Sequence, residues 1–187
     1  MWGLFAHQNT ANNKIGYATN EDFQKVFTEE MKNLYLLSFL LTAHHKKAEQ
    51  CFVAGLDDCL NGNPVFQEWA RIWARRIIVR NAVQMMAPHF GPPASVPGTP
   101  HSASAGDLPS MPLEYAPFAN VLALEDSERL VYVLSILERY PEEECAALIG
   151  VSQHEVREAR SHALEHVADF ERTTGAPPAY QVRALTY

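Results

Sequence analysis

The sequence lacks the features that mark membrane and secreted proteins. It contains no run of about eighteen apolar residues, so a transmembrane helix is not expected. Its first residues show no basic start followed by an apolar stretch, so we expect no signal peptide, no membrane partner and a cytoplasmic location. Cysteine is scarce. Cys51, Cys59 and Cys145 have no metal-ligand spacing, which indicates reduced thiols buried in the core.

Sequence signatures of catalysis are also lacking. No nucleophile elbow, phosphate-binding loop, zinc signature or pair of carboxylates in a defined setting occurs, so we expect neither an enzyme nor a cofactor. His162 and His166 have the i, i+4 spacing of zinc ligands, but the sequence offers no third ligand. The adjacent His44 and His45 point away from each other on any regular element. No metal site is therefore predicted.

The charge of the chain disfavours strong autonomous binding to DNA. The formal net charge is −7. Residues 121–172 carry five arginines, no lysine and twelve acidic residues, whereas residues 21–90 carry eight basic and eight acidic residues. Because phosphate neutralisation drives most non-specific affinity, the chain should bind free duplex weakly. A DNA-binding protein that acts alone tolerates this charge less easily than one whose partner supplies part of the contact.

Helical periodicity and one proline-rich stretch predict an all-α fold, with two small helical domains joined by a linker. Eight of the twelve prolines lie between residues 88 and 117, among serine, glycine and alanine. Such a stretch should be extended or disordered. The predicted organisation is a flexible leader at 1–20, an N-terminal helical bundle at 21–86, the Pro-rich linker at 87–119, a C-terminal helix-turn-helix domain at 120–172 and a tail at 173–187.

Three helices are predicted in the N-terminal bundle, from Asn20 to about Leu41, from Lys47 to about Leu60 and from Val65 to Met86. One interpretation of the third helix is a surface that stacks the bases of a melted single strand and steadies its phosphates. The structural alternative is an amphipathic helix whose tryptophans lie in the core and whose arginines reach out of it. Both interpretations concern one face of this helix, an arc of about 80° on the helical wheel. This face contains Phe66, Trp69, Trp73, Arg76 and Arg80.

The segment 124–167 is predicted to form three helices with clear boundaries. Pro141 suits the start of the second helix, and Gly150 allows a sharp turn after it. Ser152 and Glu155 have the spacing of a capping box that opens the third helix. Most short helical hairpins bind no DNA, so this pattern alone leaves DNA binding open. The small, turn and core positions of a helix-turn-helix are held by Ala146, Gly150 and Val156.

Residues 124–167 resemble the promoter-binding C-terminal domain of bacterial sigma factors, especially the compact extracytoplasmic-function group. The matching runs are Glu128-Arg129-Leu130-Val131, the stretch from Glu143 to Ser152, Val156-Arg157 and Ala163-Leu164. The resemblance implies that the third helix faces the minus-thirty-five duplex. Its DNA-binding side chains would be Gln153, His154, Arg157, Arg160 and Ser161.

Residues 23–86 resemble the sigma domain that binds the polymerase clamp and opens the minus-ten promoter element. The Phe-x-x-Trp-x-x-x-x-Ala-Arg frame of that domain is met by Phe66, Trp69, Ala74 and Arg75. The run from Lys47 to Phe52 is similar to the clamp-binding segment, which implies polymerase contacts from Glu49, Gln50 and Phe52. The side chains implied to meet the opened strand are Trp69, Trp73, Arg75, Arg76 and Arg80.

Together these resemblances imply a sigma-factor-like transcription initiation subunit that binds core RNA polymerase and promoter DNA, with an anti-sigma factor as a further candidate partner. Two alternatives stay open. One is a sigma-derived regulatory interaction protein with weakened promoter binding. Two departures from the family pattern favour it. Lys47 and Gln50 stand where the clamp-binding segment usually has acidic residues. Glu158 and Ala159 stand where the recognition helix usually has a serine and a basic residue. The other is a helix-turn-helix transcriptional regulator with an unrelated helical sensor domain.

Overall fold

The computed structural model of the protein describes residues 16–86 and 113–174. These residues are helical and contain no strand beyond an isolated antiparallel bridge between Tyr17 and Phe66. The predicted all-α fold class is confirmed for this part of the chain. Its α-helices are α1 Asn20–Glu29, α2 Met31–Thr42, α3 His45–Asn61, α4 Ala70–Met86, α5 Ala119–Leu122, α6 Asp126–Tyr132, α7 Glu142–Ile149 and α8 Gln153–Thr174.

None of these helices is long and apolar enough to span a lipid bilayer. Much of the predicted leader, linker and tail falls on residues 1–15, 87–112 and 175–187, which lie outside the described residues. The last part of the predicted linker differs from an extended chain, because Leu113–Phe118 forms a 3₁₀ helix that leads into α5.

The first predicted helix is divided at Glu30 into α1 and α2. A capping box at Thr19 opens α1, one residue before Asn20, where the helix was predicted to begin. The Asp22 amide donates to the Thr19 hydroxyl at 3.2 Å, and the Thr19 amide donates to the Asp22 carboxylate at 2.8 Å. At the division, the Glu30 carboxylate accepts a hydrogen bond from Asn33 and pairs with Arg71 of α4. This second contact joins distant parts of the chain, so local periodicity does not reveal it.

The helices α3 and α4 pack closely at Gly55. A Cβ atom at Gly55 would lie 2.6 Å from Cδ1 of the buried Ile78, so a side chain there would collide with the core. The neighbouring Cys51 thiol donates to the Ile78 carbonyl at 3.3 Å, and burial raises the pKa of Cys51 to about 11. All three cysteines are buried and free, as predicted from their spacing.

We call residues 16–86 the first helical unit and residues 113–174 the second, and the second contains the predicted helix-turn-helix. The turn between α7 and α8 uses Gly150 with a φ of 82°, a left-handed conformation that glycine adopts without a Cβ clash. The predicted capping box opens α8, since the Ser152 amide donates to Glu155 at 2.7 Å and the Glu155 amide donates to the Ser152 hydroxyl at 3.2 Å. Val156 is fully buried. The predicted turn, cap and core positions are confirmed.

The two helical units contact each other. α2 packs on α6 and α4 packs on α7. Buried apolar side chains from both units belong to one hydrophobic cluster. Before the contact with α4, the chain passes from α6 through one π-helical turn, Val133–Leu137, and then bends at Arg139, whose φ is 59°. The division of the chain into two separately folding domains stays a prediction.

Candidate nucleic-acid interface

The two tryptophans predicted to stack bases lie in different environments. Trp69 lies in a 3₁₀ turn before α4 and is 54% exposed. Trp73 lies inside α4, is partly buried and packs against the hydrophobic core. The predicted helix from Val65 is wrong at its start, since Phe66 is extended and α4 begins at Ala70. Trp69 can therefore offer a broad ring surface to a base, whereas Trp73 mainly stabilises the core.

An exposed aromatic cluster surrounds Trp69. The ring of Tyr17 stacks on Phe66 with 5.3 Å between centroids, and Phe66 meets Trp69 edge to face at 5.4 Å. Backbone hydrogen bonds hold the segment in place, from the Ala18 amide to the Val65 carbonyl and from the Gln67 amide to the Gly16 carbonyl. Tyr17 is 61% exposed and was not predicted as a site residue. No local pattern marks it, because it lies in the segment predicted as a loose leader.

Arg75 and Arg76 of α4 are paired with glutamates of the second unit. Arg75 donates from Nη2 to Oε1 of Glu138 at 2.7 Å and from Nε to Oε2 at 3.2 Å, which is a bidentate contact. The Glu138 side chain is only 6% exposed. Arg76 pairs with Glu144, and this carboxylate raises the pKa of the Arg76 guanidinium. Both arginines are therefore neutralised by the chain's own acids.

Arg80 takes part in the packing of α3 on α4. Its Nη2 lies 3.2 Å from the carboxylate of Asp58, which also accepts a hydrogen bond from the Asn81 side chain at 2.9 Å. The Arg80 side chain is about half exposed, so one side of the guanidinium faces solvent. Of the predicted strand-binding arginines, Arg80 is the one paired within its own helical unit.

The predicted recognition residues lie at the start of α8. Arg157 and Arg160 lie 3.5 and 3.6 Å from the carboxylate of Glu142 on α7, and Arg157 is the more exposed of the two. His154 lies 3.5 Å from Glu158 on the same helix. At 3.5 Å or more these ion pairs are longer than an ordinary hydrogen bond, so they restrain the side chains weakly. The exposed residues of the set are Gln153, His154, Arg157 and Ser161.

The predicted polymerase-binding residues occupy the outer side of α3. Glu49 and Gln50 are exposed, as a contact residue must be. Phe52 is half-buried and meets the ring of Phe27 edge to face at 5.2 Å, so part of its surface belongs to the core. Val53, next in sequence, is 65% exposed and adds an apolar surface to the same helix.

The histidines of α8 do not form a metal site with other side chains in the described ranges, where no group of three potential ligands comes together. His166 instead has a carboxylate partner. Its Nδ1 lies 2.8 Å from Oε2 of the nearly buried Glu128, and this hydrogen bond and charge raise the pKa of His166. The contact joins α6 to α8 and holds the helix-turn-helix against the rest of the second unit.

A groove of about 280 Å³ lies where the two units meet. One wall is formed by Ile72, Arg75 and Arg76 of α4, and the other by the segment 138–144. Sequence patterns did not connect these walls. The glutamates at the start of α7 suit the positive end of the helix dipole, and in addition Glu142 and Glu144 pair with arginines of α8 and α4.

No protein-family model matches the chain, and a search of curated proteins finds no significant match.

Proposed function

We propose that the chain is a sigma-factor-like transcription initiation subunit that binds bacterial core RNA polymerase and recognises promoter DNA in the bacterial cytoplasm. The observation that carries the proposal is the geometry of α7 and α8. The left-handed turn at Gly150 and the buried Val156 fix the two helices, and the start of α8 stays exposed. An exposed helix start with polar side chains is the part that helix-turn-helix proteins insert into the major groove.

The first helical unit supplies the remaining contacts in this proposal. Trp69 and its aromatic neighbours offer exposed ring surface to the bases of an opened strand, and Arg80 offers a half-exposed guanidinium to a phosphate. Glu49 and Gln50 on the outer side of α3 contact the polymerase. The chain contributes binding and strand separation and no catalytic chemistry of its own.

The second candidate is a sigma-derived interaction protein that binds polymerase but has weakened promoter recognition. It is favoured by one observation, that arginines on both predicted DNA faces pair with glutamates of the same chain. Such pairs lower the attraction for phosphates, on which DNA affinity largely depends. The overall charge of −7 acts in the same direction.

The deciding experiment is co-purification of the chain with bacterial core RNA polymerase, followed by run-off transcription from the host's promoters. Binding with transcripts supports a working sigma factor. Binding without transcripts supports the interaction protein. Failure to bind core polymerase contradicts both candidates and favours a helix-turn-helix regulator that acts alone.

Arg157→Ala separates promoter recognition from polymerase binding. We expect promoter-dependent transcription to fall about tenfold, because a guanidinium that contacts a base edge contributes roughly 1–3 kcal/mol. Binding to core polymerase should stay within about twofold. The matched control is Arg172→Ala, which removes an arginine paired with Asp169 near the other end of the same helix. An equal loss of transcription and polymerase binding in Arg157→Ala would mean that Arg157 supports folding.

A further inference from the structure

We propose that the contact between α4 and the segment 138–144 is a latch that holds the two helical units closed and keeps Arg75 and Arg76 away from single-stranded DNA. The latch consists of the pairs Arg75–Glu138 and Arg76–Glu144. The inference rests on the proposed function, because it concerns the strand-binding face of α4. It adds that this face is masked by the chain itself in the closed arrangement.

The geometry of Arg75 makes masking and binding mutually exclusive. A guanidinium recognises a phosphate through the same planar fork of N–H donors with which it recognises a carboxylate. In the closed arrangement, the Nε and Nη2 donors of Arg75 are directed at the two carboxylate oxygens of Glu138. Since Glu138 is nearly buried and Arg75 is only a quarter exposed, a phosphate cannot share this fork without displacing the carboxylate.

The second pair extends the masking along α4. Arg76 is half exposed and pairs with Glu144, which is one-third exposed at the start of α7. Tyr140 and Pro141 lie between the two glutamates in sequence and line the same groove as Ile72. The carboxylates thus reach α4 from both ends of one short connection, the segment between the π-helical turn and α7.

The same contacts provide a way to open the latch. Both arginines stay partly exposed, about a quarter for Arg75 and half for Arg76, so a polyanion can approach them and compete with the glutamates. Binding of a strand to Arg75 and Arg76 must release Glu138 and Glu144, and so shifts the latch toward the open arrangement. By linkage, opening of the latch raises the affinity for the strand by the same factor by which the strand favours opening. Any partner surface that separates α7 from α4 therefore also exposes the arginines.

The test is the affinity of the full chain for a fluorescent single-stranded oligonucleotide, measured by anisotropy. Glu138→Gln with Glu144→Gln keeps the size of both side chains and removes their charges. We expect affinity to rise about tenfold, which corresponds to release of about 1.4 kcal/mol of competing contact. The matched control is Glu143→Gln with Glu165→Gln, which raises the net charge equally at two exposed positions. This control should change affinity by less than about twofold.

Three results overturn the latch. They are an unchanged affinity in the Glu138→Gln, Glu144→Gln protein, an equal gain in the control protein, and a gain that survives addition of Arg75→Ala. If the double variant unfolds, Glu144→Gln alone provides the test. Its partner Arg76 is half exposed, so this substitution should leave the protein folded and raise the affinity for the oligonucleotide by a smaller factor. The oligonucleotide assay contains no polymerase, so failure of the latch is distinguishable from failure of the proposed function, which the polymerase co-purification decides.

Discussion

The helix-turn-helix of α7 and α8 and the arginine face of α4 are specified over very different distances along the chain. The turn, cap and core of the helix-turn-helix all lie between residues 150 and 156. The partners of Arg75 and Arg76 lie 63 and 68 positions away. A turn and a cap can be recognised from a short stretch of sequence. Whether the arginines of α4 are paired depends instead on how two distant segments pack together.

The two regions also differ in how strongly their arginines are held. On α8, Arg157 and Arg160 lie 3.5–3.6 Å from Glu142, with Arg157 more than half exposed. On α4, Arg75 makes a bidentate contact as short as 2.7 Å to a nearly buried carboxylate. Charge-assisted bidentate contacts are stronger than single exposed ones. The helix-turn-helix is therefore the more available of the two predicted DNA faces.

Val156→Asp should cause the largest loss of stability. Val156 of α8 is fully buried, and an aspartate there would introduce a charge into the hydrophobic core. We expect the free energy of unfolding to fall by about 4 kcal/mol or more. Thermal unfolding followed by circular dichroism measures this loss directly.

The control for Val156→Asp is Ala168→Asp, which introduces the same acid at an exposed position of α8. Its effect on stability should stay within about 0.5 kcal/mol. Comparable losses in the two variants would show that the helix-turn-helix is not held by its local core. The helix-turn-helix would then depend on distant contacts, as the arginine face of α4 does.

Glu138→Ala measures how much the contact between Arg75 and Glu138 contributes to the free energy of unfolding, for comparison with Val156→Asp. Removal of the carboxylate leaves Arg75 with a partly buried guanidinium and no bidentate partner from the second unit. We expect the free energy of unfolding to fall by about 2 kcal/mol, less than for Val156→Asp because Arg75 is a quarter exposed. Urea unfolding of both proteins provides the measurement.

An exposed pair is the appropriate reference for that value. Asp169→Ala removes the partner of Arg172 within α8, where both side chains are well exposed. The loss should be below about 0.5 kcal/mol. A loss for Glu138→Ala as small as this one would mean that the contact between the two units is a weak surface encounter.

Much of the fold could be predicted because the signals are local. The turn at Gly150 and the capping box of Ser152 follow from the conformational freedom of glycine and the spacing of a hydroxyl and a carboxylate. The division at Glu30 could not be predicted, since apolar residues recur at helical spacing on both sides of it. Glu30 is held by a side chain of α4, which a local pattern does not include.

The candidate site could be predicted only as a set of side chains. A helical wheel places Trp69 and Trp73 together, but Trp69 precedes α4 in a 3₁₀ turn, where the 100° step does not hold. The pairing of Arg75 with Glu138 depends on a contact between units that the Pro-rich segment separates in sequence. Periodicity identifies which residues share a face, and it carries no information on what covers that face.

The smallest expected effect concerns pH and the pair His166–Glu128, which is a distant contact inside the second unit. Glu128 raises the pKa of His166 above its ordinary value of 6.5, so folding favours the protonated imidazole. The stabilisation is fully present below about pH 6.5 and is lost as the pH rises through the raised pKa. Unfolding of the unmodified protein at pH 6 and at pH 8 should therefore show lower stability at pH 8 from this pair.

Two substitutions isolate the pair from other titrating groups. His166→Gln removes the titrating ring, and Glu128→Gln removes the charge that raises its pKa. Each should reduce the difference in unfolding free energy between pH 6 and pH 8, and the two together should reduce it no further than either alone. A full pH difference in His166→Gln would contradict the assignment. The charge on His166 would then contribute little to the contact between α6 and α8, which joins residues 38 positions apart.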